Sequence, residues 1–270
     1  MKKNEMFLMG GCAVVLSLLF ATSTNAATAD IKTKGSTSFT VPTDIGSVIK
    51  PGTDNDIMID GDQTQIDGVQ LLHAPNFNFG QNALKANGGY FDAIYENYKE
   101  KSSDTTSYAI PHFVQVGDFS ADTGTKWQVN VEQDSLFKAP TEQGHELKLS
   151  RIQIHNSTLT NNLKDVSALL TGPIIPSSGY ISIPVKGKDG GSLPILTSKA
   201  SQEDTGSTHG TISSVVFRKN YLENDYGSEA TNVPALTDKN TDVKLHVPNT
   251  DTAHAKAYST NLTWTLTVGP

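Results

Sequence analysis

Apart from Cys12, close to its start, this chain of 270 residues contains no cysteine. A disulfide framework and a cysteine nucleophile are therefore excluded for everything downstream, and a domain built that way must be held by its own apolar core. Basic residues are short as well, with 21 Lys and Arg against 28 Asp and Glu and a formal charge of −7. No basic stripe is present to displace counterions from phosphates, which argues against nucleic acid and against electrostatic adhesion to anionic polymers. Aromatic residues make up only 7% of the chain, and long apolar patterns of helical period are missing. Catalytic signatures are missing too: His145-Glu146 lacks the second histidine of a zinc-binding pair, and no nucleophile elbow, P-loop or dinucleotide glycine pattern occurs. A pair of glycosidase carboxylates can lie far apart in a chain and leaves no sequence signal, so a glycan-processing enzyme stays as a rival reading.

What is present is threonine, serine, asparagine, aspartate and glycine in abundance, the composition of an all-β exported domain. Lys2 and Lys3 precede an apolar run over 6–20, and Thr24-Asn25-Ala26 follows it. That is the plan of a secretory signal peptide over residues 1–26, cleaved after Ala26, and the run is too short to span a membrane. Cys12 precedes most of the apolar core, whereas a lipidated cysteine would follow it. Without Lys2, Lys3 and Glu5, the remaining chain sets 19 basic residues against 27 acidic ones, a charge of −8.

The mature chain, 27–270, reads as a single domain with no proline- or serine-rich linker. Its architecture is predicted to be an antiparallel β-sandwich or barrel of about nine strands with one or two short helical insertions. One helix is expected over 91–100, where Phe91, Ile94, Tyr95 and Tyr98 recur at helical spacing, and 160–170 is ambiguous. Strands are expected over 108–119 and 126–132, joined as a hairpin through Asp122-Thr123-Gly124, and over 145–156, with a bulge near Ser150-Arg151. Further strands are read at 179–185, 191–197, 210–219 and 242–247, and a last one at 258–268. Between 56 and 67, Asp56, Asp60, Asp62 and Asp67 half match a calcium loop, but Met58 stands at a ligand position and no helices flank it. A hairpin with Ile57 and Ile59 turned inward is the favoured reading there.

Two strands share one chemistry. Trp127, Val129 and Val131 alternate with polar residues, and so do Leu262, Trp264, Leu266 and Val268, with threonines at 263, 265 and 267 on the opposite side. Together with Phe137, the 114–118 strand and the segment Leu72-His-Ala-Pro-Asn-Phe77-Asn-Phe79-Gly80, they make the chain resemble the WxL-domain surface proteins of low-GC Gram-positive bacteria. Trp127-Gln-Val129 takes the place of the proximal motif, with valine where leucine is usual, and Trp264-Thr-Leu266 that of the distal one. The region 91–100 looks like an insertion relative to that pattern.

The resemblance implies a secreted, non-catalytic protein, without cofactor, that associates non-covalently with the cell wall through peptidoglycan. It also implies a complex with a membrane-anchored WxL-interacting surface protein and, in some cases, contact with host extracellular matrix protein. An adhesin subunit that binds host protein directly is the alternative. Several aliphatic residues share a strand face with each tryptophan, so Trp127 and Trp264 are expected in the core, where Trp→Ala would cost roughly 3–5 kcal/mol. The contrary reading makes them exposed platforms for sugar rings.

Overall fold

The computed structural model describes residues 37–140, 144–163, 165–166, 169–199 and 206–269. The predicted signal peptide, with Cys12, lies outside them. The chain divides into Met1–Phe39 and the compact unit Thr40–Pro270, and the fold is that of the second.

All-β is the outcome, in short antiparallel pieces. Among the described residues there are eighteen strands and no α-helix, with a 3-10 turn at Glu223–Asp225. A five-stranded sheet consists, in order, of Thr158–Asn161 (β12), Thr211–Val216 (β16), Phe113–Asp118 (β7), Val69–His73 (β3) and Thr64–Ile66 (β2). One four-stranded sheet runs Leu170–Thr171 (β13), Leu193–Ser198 (β15), Lys126–Gln133 (β8) and Leu262–Gly269 (β18). The other runs Ile181–Ser182 (β14), Arg151–Ile154 (β11), Lys239–Pro248 (β17) and Gly88–Ile94 (β4). Met58–Ile59 (β1), Glu96–Lys99 (β5) and Tyr108–Ile110 (β6) form a three-stranded sheet, and Phe137–Lys138 (β9) pairs with Glu146–Leu147 (β10).

The five-stranded sheet is buried on both sides, which is why β3 and β7 lack polar alternation and are buried at every position. Leu71, Val114, Val116 and Val215 face the main core, which the two four-stranded sheets complete with Val129, Val131, Ile195, Ile152, Ile154 and Val243. Their sequence neighbours Leu72, Phe113 and Val216 point the other way, into a second cluster with Tyr98, Ile110, Tyr221 and Tyr226. Polar groups caught in these layers are paired. The buried Gln115 side chain accepts from the Ile49 N–H and donates to the Ile49 carbonyl, both at 2.9 Å, and so substitutes for a strand neighbour. At the β2–β3 turn, Asp67 and Gly68 take φ of 49° and 83°, the conformation of a two-residue type I′ hairpin.

Several expectations are corrected by this arrangement. About nine strands in one sandwich or barrel become eighteen in five hydrogen-bonded sheets. The segment 91–100 is not a helix but β4 and β5. Phe91 and Ala93 pack toward the main core while Tyr98 enters the second cluster, and the change of side between the two strands imitates a helical period. The hairpin expected from 108–132 does not form: β7 pairs with β3 and β16, and β8 pairs with β15 and β18. Pro111 also falls between β6 and β7, where a proline cannot donate to a ladder. What read as a bulge at Ser150-Arg151 is the gap between β10 and β11, which belong to different sheets, and Leu149 is 55% exposed.

Candidate functional site

The two tryptophan strands are direct neighbours. β8 and β18 pair antiparallel over eight residue pairs, with Val268 opposite Trp127, Leu266 opposite Val129 and Trp264 opposite Val131. The two motifs are thus offset by two residues, with Val129 lying opposite Leu266, and the apolar members of both strands share one face of the ladder. Val129 is fully buried and is flanked on its second side by Leu196 of β15. Leu266 is buried at 6% exposure, and Trp264 is only partly buried. The opposite face is polar, with the Gln128 amide donating to Asn130 at 2.7 Å and Lys186 paired with Glu132 at 3.0 Å.

Trp127, with 2% of its surface exposed, does more than fill space. Its indole Nε1–H donates to Asp118 Oδ2 at 3.2 Å and to Thr208 Oγ1 at 3.1 Å. Thr208 in turn donates to Asp118 Oδ2 at 2.6 Å, and Ser120 donates to Oδ1 through its hydroxyl at 2.6 Å and its N–H at 3.3 Å. Four neutral donors therefore converge on a buried carboxyl group at the end of β7, and one of them comes from β8. An acidic group so deeply buried is tolerable only with such partners. This is how consecutive strands that do not pair are nonetheless tied together. The Trp127 N–H donates to Ser198 Oγ at 2.8 Å, which joins β15 to the same assembly.

Trp264 meets the third flagged segment. Its ring lies 6.5 Å from that of Phe77, which also approaches His112 at 5.0 Å and Phe217 at 6.2 Å. His112 is fully buried, and burial pushes its imidazole down to about 4. Its Nδ1 faces the Asn240 amide nitrogen at 3.1 Å, and that amide also donates to the Phe217 carbonyl. Nearby, the buried His73 pairs with Glu96 at 3.3 Å. Phe79, from the same segment as Phe77, is buried in the main core.

Three sequence segments that lie far apart in the chain thus converge on one core. A family model described as WxL domain, surface cell wall-binding, matches residues 21–270. The chain belongs to the WxL family. Searches of curated proteins and of solved structures each found no match. As a WxL domain it is a cell-surface module that binds the cell wall. Among the described residues, no helix is long and apolar enough to cross a membrane.

In this WxL domain the four aspartates of the half-matched calcium loop are not gathered. Asp56 forms an isolated bridge with Ile49, Met58 and Ile59 pair with β5, and Asp67 makes the β2–β3 turn. Among the described residues, no group of three or more His, Cys, Asp or Glu is placed to hold a metal. Nothing in the sequence pattern marks Asp118 or Thr208 as partners of Trp127. The only signal for Asp118 was its place at the end of an apolar strand shortly before Trp127, and Thr208 carried none.

Proposed function

We propose that this protein is exported and held non-covalently on the Gram-positive cell wall, with peptidoglycan as its ligand and no catalytic role of its own. In the same reading it works within a complex, beside a membrane-anchored WxL-interacting surface protein. The observation that carries this is the family match over residues 21–270, supported by the pairing of the two motif strands in one ladder. Trp127, Val129, Trp264 and Leu266 are then the residues that build the binding domain, and the wall is contacted by other side chains. The acidic balance supports a neutral glycan over an anionic polymer as the ligand.

Sedimentation of the purified protein with protein-free peptidoglycan, with and without the candidate partner, tests it. The protein is expected in the pellet without help. Recovery in the supernatant, together with binding to immobilised matrix protein, would show an adhesin subunit instead, and release of soluble fragments from the wall would show an enzyme.

A further inference from the structure

The outward face of the β14-β11-β17-β4 sheet carries aromatic rings and paired charges together. Registers place Arg151, His246 and Tyr90 in one row across three strands, and Ser182, Gln153, Lys244 and Asp92 in the next across four. The alternate residues, Ile152, Ile154, Leu245 and Phe91, belong to the core side. Tyr90 stacks on His246 with centroids 4.6 Å apart and planes 18° apart, yet it remains 51% exposed. His155 stands edge-on to Tyr90 at 6.4 Å and meets Tyr180 at 5.6 Å, so four rings run over the sheet.

Two features point to the ligand. The charges on this face are matched, Lys244 with Asp92 and Arg151 with Asp189, the latter through two hydrogen bonds. A surface of paired ions has little to offer a polyanion and does not repel an uncharged chain. Beside the rings, the only partly buried His155 adds a polar imidazole edge next to Tyr90 and Tyr180. Burial holds the His155 imidazole below its ordinary range, the state in which one ring nitrogen donates and the other accepts. Rings for the C–H face of a sugar, with the phenol and imidazole edges beside them for its hydroxyl or amide groups, are the parts that carbohydrate recognition needs.

We propose that this face, centred on Tyr90 and His246, is the contact surface for an uncharged pyranose chain, the N-acetylhexosamine glycan of the wall. It rests on the wall-binding reading above and names the surface that reading leaves open. The test compares wild type, Tyr90→Ala, Tyr90→Phe and His246→Ala by sedimentation with protein-free peptidoglycan. In parallel, calorimetric titration with a soluble N-acetylglucosamine oligomer and melting of each variant are measured. Tyr90→Ala is expected to weaken both associations by about tenfold, the equivalent of about 1.4 kcal/mol, with Tyr90→Phe near wild type and all melting curves unchanged. If wild type sediments and Tyr90→Ala sediments equally well, this surface is wrong and the wall reading stands. If wild type does not bind the wall at all, the wall reading fails and takes the proposal with it. If Tyr90→Ala loses only the binding of a partner protein, the face is a protein interface and the proposal falls.

Discussion

A tryptophan in a β-strand is usually explained by its volume, but the indole N–H of Trp127 has a chemical task as well. Replacing Trp127 by Phe keeps most of the ring and leaves Asp118 without one of its four donors, at an expected cost of about 1–3 kcal/mol. Trp127→Ala adds a cavity and is expected to cost about 3–5 kcal/mol. Thermal melting reads both, and the loss from Trp127→Phe should shrink when Asp118→Asn is already present, because the two residues share one bond. Trp264, only partly buried, is expected to lose less, about 2 kcal/mol as Trp264→Ala. His112 supplies a prediction in pH. Its Nδ1 already faces an amide donor and its surroundings are dry, so the folded protein resists protonating it until about pH 4, against an unfolded value near 6.5. Between those values the unfolded chain binds more protons. The stability from neutral His112 is thus complete above about pH 6.5 and is lost as pH falls toward 4, a change on the order of 3 kcal/mol. Melting of His112→Gln across that window should show a flatter slope than wild type.

Among the elements, the β8–β18 pair does the joining. It brings a strand from the middle of the chain against the last one, in a register that places Val129 between Leu266 and Leu196. Valine in place of the usual leucine therefore sits in a closed position. Restoring leucine by Val129→Leu is expected to overpack it and lower stability by about 1–3 kcal/mol in denaturant titration. The β2–β3 turn is as demanding, since a Cβ on Gly68 would lie 2.6 Å from the Phe119 carbonyl oxygen in a left-handed backbone. Elements of this kind were legible from the chain where one face was apolar and the other wet, as in β8 and β18. They were misread where a strand is covered on both faces or changes side, as at Phe91 to Tyr98, because the signal of alternation is then gone.

For the molecule as a whole, the combination of net negative charge and a neutralised sheet face points to adhesion by shape and hydrogen bonding. Wall sedimentation is expected to change little when salt is raised from about 0.05 to 0.5 M, whereas a charge-driven contact would weaken strongly over that range. A protein released from the wall by salt alone would contradict that picture. Trp127, buried in the core, should lose wall binding only in step with melting, and the same is expected of Trp264 if its role is to hold the fold.

The amino-acid sequence by itself determined the all-β class, the two motif strands and the family, because alternation, turn chemistry and short motifs are local properties of a chain. It could not say that Trp127 and Val268 would stand opposite each other, or that β7 and β8 would part into separate sheets. Nor could it show that Asp118 would be buried beneath an indole, or that Tyr90, His246 and His155 would assemble over one sheet. Those are choices among distant partners, made by which faces can be covered at once and which buried polar groups can all be paired, and only the tertiary structure makes them.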